Sequence, residues 1–278
     1  MNSMITTSDV KQALFEEIFS TGDPDSKEVV LMIGSCRGVP HLNHLNQWNM
    51  ENGYPFLIYY IDPFDFNWDK DNNRVDGDAA LAAAEWNPRI LDIFERTTIF
   101  IHEHFSRYGM FNTDPSAETN IYGFGMAPKI DLCLPNFHDR FIMFKNILEF
   151  DKGLADQVRA DGSIPTKAAG QLRAIGRDSI QAFLEMCAYT SFPEFAAHFR
   201  DNMRRHRMWW NHNHITVNFT VPLFRMVCER LGIHPSEEFF RNLYNVDIFD
   251  SGERAPLTQP DIEAHGWAWR EEIQTLKP

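Results

Sequence analysis

A chain of 278 residues with 39 acidic and 26 basic side chains carries a formal net charge of −13, which argues against a nucleic-acid partner and against an anionic membrane surface. Its 44% hydrophobic and 23% charged content is that of an ordinary globular protein, long enough for one large α/β domain or two small ones. Cys36, Cys133, Cys187 and Cys228 lie far apart and form no CxxC pair, which argues against a zinc ribbon or a disulfide framework.

The opening segment MNSMITTSDVKQALFEEIF has neither the basic start nor the apolar centre of a signal peptide. No apolar run reaches bilayer length, so a cytoplasmic protein with no membrane span is expected. Thr7 or Ser8 caps a predicted helix from Asp9 to Phe19. TGDPDSKE is a loop. Val29 to Ile33 is a continuous apolar run and reads as a buried parallel strand. It stops at the turn Gly34-Ser35-Cys36-Arg37-Gly38, and Pro40 opens a helix through His41 to Trp48. Phe56 to Ile61, one crossover later, is a second strand and completes a right-handed βαβ unit.

Asp62 to Asp78 reads as a surface loop, and DGDAALAAAEW and NPRILDIFERT as two helices. Thr97 to Ile101 is the third strand and runs into His102-Glu103-His104; Ile130 to Leu134 is the fourth and runs into Pro135-Asn136-Phe137-His138-Asp139. From about Asn146 helical periodicity takes over, with helices at Ser179 to Tyr189, Phe192 to Arg207, Thr216 to Leu231 and Glu237 to Tyr244, and Gly232 as a C-cap. MWWNHNH looks extended. The expected fold is therefore α/β: an N-terminal, mostly parallel sheet flanked by helices, with a largely helical C-terminal half. One domain over 1–278 is expected, its sheet part at 27–145 and its helical part at 146–278.

Strand ends at one rim of an open α/β sheet are where such folds bind ligands. Cys36 is placed at the start of a helix, beside Arg37, where both the helix dipole and the guanidinium would favour the thiolate. The alternative is a small residue filling a turn. A nucleophilic thiol needs a base, and His214, just ahead of the helix that starts near Thr216, is the preferred one, with His212 as the fallback. Asn211 and Asn213 could orient substrate or imidazole. Arg204, Arg205 and Arg207, with Arg200, form a basic run that suits phosphate or a solvated helix face.

Two other constellations compete. His102-Glu103-His104 and His212-Asn213-His214 are HxH pairs, which in extended backbone point two imidazoles the same way and suit zinc or non-haem iron. A metal is the less favoured reading. Asp261 and His265 would serve a hydrolase triad, although a short helix capped by Asp261 accounts for them as well.

Four blocks in order carry a resemblance: the strand leading to Gly34-Ser35-Cys36-Arg37, then IFIHEHF, then LCLPNF, and last the arginine-rich end leading to Asn213-His214-Ile215-Thr216. In these the chain resembles the WcbI-type polysaccharide biosynthesis proteins, an acetyltransferase family of capsule synthesis. It departs from that pattern at Ser35, Arg37 and Ile215, where Asn, Gln and Pro are usual.

The resemblance implies coenzyme A or acetyl-coenzyme A as a substrate, and a small-molecule or saccharide acceptor. Cys36 is then the nucleophile or a lining of the thioester site, and His214 is the general base. Ser35, Arg37, Gly38, Arg204, Arg205, Arg207 and Asn213 are the expected contacts to coenzyme A, and backbone N–H groups after Cys36 are the expected oxyanion donors. An esterase that uses water as acceptor, a metal enzyme and a non-catalytic binding protein are the rivals. The composition leaves room for a homo-oligomer.

Overall fold

The structure, a computed structural model, describes residues 18–62, 68–69, 74–75, 88–104, 113–114, 116, 120–135, 151–159, 164–210, 214–246, 261–262 and 266–268. The chain divides into two compact units, one formed by Met1–Asn136 with Val227–Pro235, the other by Phe137–Met226 with Ser236–Pro278. The predicted first helix lies outside the described residues save for its end, where Phe19 belongs to a strand.

The first unit holds a five-stranded sheet. In chain order its strands are β1 (Phe19–Gly22), β2 (Glu28–Ile33), β3 (Phe56–Ile61), β6 (Ile99–Glu103) and β7 (Ile130–Leu134). Two short strands, β4 (Trp68–Asp69) and β5 (Arg74–Val75), pair separately inside the segment predicted as a loop. The order across the main sheet is β1-β3-β2-β6-β7. β2, β3, β6 and β7 are parallel, and β1 is an antiparallel edge strand that hydrophobic patterning does not reveal.

Central β2 is buried from Val29 to Ile33, which is why it reads as an unbroken apolar run rather than an alternating one. β6 begins two residues later than predicted and takes in His102 and Glu103. Both are therefore strand residues, pointing to opposite faces of the sheet.

Helix α1 (Val39–Glu51) follows β2 with Pro40 in its first turn, where a missing N–H costs nothing. It is fixed to β3 by Asn49, a fully buried amide that accepts from Phe56 N and donates to Phe56 O, both at 2.9 Å. Helix α2 (Pro88–Arg96) buries Ile90, Ile93 and Phe94, one i, i+3, i+4 stripe, against Leu31, Leu57 and Phe100 of the sheet.

The second unit is helical: α3 (Lys152–Ala155), α4 (Thr166–Cys187), α5 (Phe195–Asn202), most of α6 (Val217–Leu231) and α7 (Glu237–Leu243). α4 is 22 residues long and starts well before the predicted Ser179, while α5 ends at Asn202 rather than Arg207. Its core is aromatic. Phe183, Phe195 and Phe199 each meet Phe219 with centroids between 4.8 and 6.1 Å apart. Gly232 ends α6 at φ +67°, a left-handed position that suits glycine.

Among the described residues no helix is long and apolar enough to cross a membrane.

Candidate active site

After β2 the chain goes to β3 on one side, and after β3 it returns past β2 to β6 on the other. The reversal leaves the carboxyl ends of β2 and β6 side by side with their outgoing connections diverging, which is where open α/β sheets form their ligand crevice. The Gly34–Gly38 turn and Glu103 meet there.

Gly34 N still donates to Ile61 O of β3, at 3.2 Å; the turn then closes through Gly38 N donating to Ser35 O at 2.8 Å. Neither glycine has a positive φ, so close approach explains them. A Cβ on Gly34 would lie 2.8 Å from Glu103 Oε1, and one on Gly38 would lie 2.7 Å from the Tyr60 hydroxyl and 3.2 Å from Glu103 Oε1. The Tyr60 hydroxyl shares its proton between Gly34 O at 2.8 Å and Ser35 O at 2.5 Å. Burial raises its pKa, so it stays a phenol and a donor.

Beneath the turn lies a buried polar network. Ser35 donates to Glu103 Oε2 at 3.3 Å and accepts from Arg37 Nε at 3.0 Å, and Arg37 Nε is 3.6 Å from Glu103 Oε2. Ser35, Arg37 and Glu103 are each 5% exposed or less. Burial pushes the Glu103 carboxyl up to about 7, against the opposing pull of Arg37. Its Oε1 has no hydrogen-bond partner among the described residues.

Between these inward-facing neighbours Cys36 keeps partial exposure. Its thiol is not activated in the way the sequence suggests. Burial pushes it up to about 11, and the lowering from Arg37 is too small to reverse this, with Glu103 and Asp62 adding to the rise. The reason is geometric. The sulfur is mostly desolvated, and Arg37, paired with Glu103, pulls against that burial with only part of its charge unopposed. α1 also begins only at Val39, which leaves Cys36 ahead of the turn where a helix dipole acts.

Of the backbone N–H groups expected as oxyanion donors, Gly38 N donates to Ser35 O at 2.8 Å and Arg37 N to Ser35 Oγ at 3.4 Å. Ser35 and Arg37 form the floor of the turn, and buried Gly38 lets α1 approach the sheet.

On the opposite face of β6, His102 stacks on Phe100 with centroids 4.6 Å apart. Its ring nitrogens approach two acceptors, Glu103 O at 3.1 Å and Asp131 Oδ1 at 3.2 Å. The Tyr122 hydroxyl donates to Asp131 Oδ2 at 2.6 Å. Burial raises the Asp131 pKa, but the hydrogen bonds from His102 and Tyr122 outweigh it and hold the carboxyl below its ordinary value. His104 Nδ1 sits 3.8 Å from Cys133 Sγ, and burial lifts that thiol to about 12. The two histidines thus share a face, as the HxH pattern implies, but engage different partners. Among the described residues no group of three or more His, Cys, Asp or Glu is placed to hold a metal ion.

In the second unit, Met208–Trp210 pairs back on His214–Thr216 through Trp210 N to His214 O at 2.7 Å and Thr216 N to Met208 O at 3.0 Å. His214 is half-buried at the close of this loop, three residues before α6. His212 and Asn213 lie outside the described residues, as do Asn211 and His265. Asp261 is fully buried.

Arg207 is buried and braces the main chain, its Nε donating to Trp209 O at 2.8 Å and a terminal nitrogen donating to Trp210 O at 3.0 Å. Arg204 and Arg205 are exposed. The turn residues thus come together in one unit, with His214 and the arginines in the other.

Sequence reasoning missed Glu103, Tyr60 and Asp62 as parts of the site. The available signal for Glu103 was a carboxylate directly at the carboxyl end of an apolar run, Ile99–Ile101, in a chain that also holds a G-x-x-x-G turn after another such run.

No family model matches the sequence, and no curated protein matches it. Among solved structures the chain is similar to WcbI, described as a novel polysaccharide biosynthesis enzyme, in a native form without a disulfide bond between coenzyme A and a cysteine. The match covers 89% of this chain and 82% of that one, at 12% sequence identity and a TM-score of 0.52. The fold implied by the motif resemblance is therefore the fold observed: an α/β sheet unit followed by a helical half, as in WcbI.

Proposed function

We propose that this protein is a biosynthetic enzyme that moves an acyl group, acetyl in the simplest case, from coenzyme A to a hydroxyl of a sugar or polysaccharide precursor. The observation that carries the reading is the partly exposed Cys36 at the sheet's switch point, in a turn held from beneath by Ser35, Arg37 and Glu103. The shared fold supports it, because the description of WcbI joins a polysaccharide biosynthesis enzyme, coenzyme A and a cysteine.

In this reading the acceptor hydroxyl gives its proton to His214, a group suited to proton transfer near neutrality. The acceptor oxygen bonds to the acyl carbon as the carbon–sulfur bond of the thioester breaks. Coenzyme A leaves as a thiolate that recovers the proton from the imidazolium. Cys36 lines the thioester. With its thiol held at about 11 it stays protonated at neutral pH, which favours direct transfer over an acyl-enzyme. Arg204 and Arg205 are the candidates for the coenzyme A phosphates, since Arg207 serves the main chain.

The test is acetyl-coenzyme A turnover against a panel of sugar hydroxyls, with intact-mass measurement of the protein. Acetylated acceptor, lost in His214→Ala, is the expected result. No mass gain on the protein fits direct transfer, and a gain of one acetyl abolished by Cys36→Ser would establish the covalent route. Free acetate without acetylated acceptor would replace the transferase by an esterase, and failure of the protein to bind coenzyme A would end the reading.

A further inference from the structure

The helical unit contains a cavity of about 620 Å³, within the range of small-molecule sites. One wall comes from α4, where Arg177, Ile180 and Leu184 follow each other at helical spacing. The other comes from the end of α5 and the turn after it, with Arg200, Arg204 and Arg205 beside Met203. Four arginines therefore line one cavity together with the carboxylate of Asp201, Arg177 also donating from Nε to Arg173 O at 3.3 Å.

Among the described residues none of these four arginines is ion-paired, with Asp201 or with any other carboxylate. That is unexpected in a chain with a net charge of −13, where acidic partners are abundant. Clustered like charges repel one another, and a polyanionic ligand supplies the missing counter-charge. Guanidinium forks match phosphate oxygens two at a time. Ile180, Leu184 and Met203 add an apolar lining that a flat heterocycle can pack against.

We propose that this cavity is a nucleoside-diphosphate site, with Arg177 and Arg200 joining Arg204 and Arg205 on the phosphates and the base against the apolar lining. The inference rests on the acyl-transfer reading for the two sources of such a group: coenzyme A as donor, or an acceptor sugar carried on a nucleoside diphosphate.

The test is calorimetric titration of the full chain with coenzyme A and, separately, with UDP, at two salt concentrations. At least one probe should bind, more weakly at higher salt. Arg177→Ala, and the pair Arg200→Ala with Arg204→Ala, should each weaken it at least about tenfold, as expected for loss of a charged hydrogen bond. These side chains are exposed, so thermal melts should match the wild type and exclude misfolding.

Binding of coenzyme A alone supports the site as the donor's, and binding of UDP alone supports it as the acceptor's. No binding of either probe, or affinities unchanged by the substitutions, overturns the site. Acetyl transfer that persists alongside unchanged affinities would overturn the site while leaving the proposed function standing.

Discussion

Glu103→Gln keeps the shape of the side chain beneath the Cys36 turn and removes its proton equilibrium. In the folded protein the carboxyl titrates at about 7 instead of its ordinary 4.5, a difference equivalent to roughly 3 kcal/mol. Between those two pH values the folded state holds a proton that the unfolded state has released. Its contribution is therefore complete below 4.5 and is lost as pH rises through 7.

Urea unfolding of wild type and variant at steps from pH 4.5 to 8 isolates this, because the other titrating groups cancel in the difference. The variant should gain about 3 kcal/mol relative to the wild type across the window. Glu103 also raises the Cys36 pKa, so iodoacetamide should modify the variant's thiol faster at pH 8 to 9. A stability difference that stays flat from pH 4.5 to 8 would refute the buried, near-neutral carboxyl and the network built on it.

Two further tests address the same region. Gly38→Ala places a methyl 2.7 Å from the Tyr60 hydroxyl and should cost about 1–3 kcal/mol by overpacking. In a Tyr60→Phe background the penalty should shrink, and an undiminished penalty in chemical denaturation would reject that contact as its source. His41 in α1 is buried and held neutral down to about 4 by loss of hydration. As pH falls from 6.5 the unfolded chain takes up a proton that the folded one refuses, so stability should drop by roughly 3 kcal/mol toward pH 4. His41→Leu should remove that drop in acid melts, and an unchanged acid slope would show that the imidazole is not held neutral.

The parallel strands are legible because local composition forces them. Val29–Ile33 and Phe56–Ile61 are apolar at every position, and strands covered on both faces require that. The antiparallel β1, FSTG, carries no such mark, because an edge strand needs only backbone pairing with Phe56–Ile61. α4 begins earlier than its pattern suggests because its first turns are held by the small apolar cluster of Leu154, Ala168 and Leu172. In the candidate site Cys36 stands out because a turn follows a strand, whereas the state of its thiol does not. That state depends first on how far the fold buries the sulfur, and then on the charges of Arg37, Glu103 and Asp62 around it.

By itself the sequence determines what the chain does locally: apolar runs become parallel strands, Gly34 and Gly38 bound a tight turn, Pro40 opens a helix, Gly232 closes one. It also limits the protein to an acidic α/β fold with a helical second half. Only the tertiary structure decides that Glu103 meets Ser35 across 68 residues of chain, since that adjacency follows from β6 pairing with β2. The same holds for the arginines of α4 and α5, which share a cavity through the packing of two helices. Electrostatic consequences fall off over a few ångströms, so they are set by such neighbours in space, which local pattern does not encode.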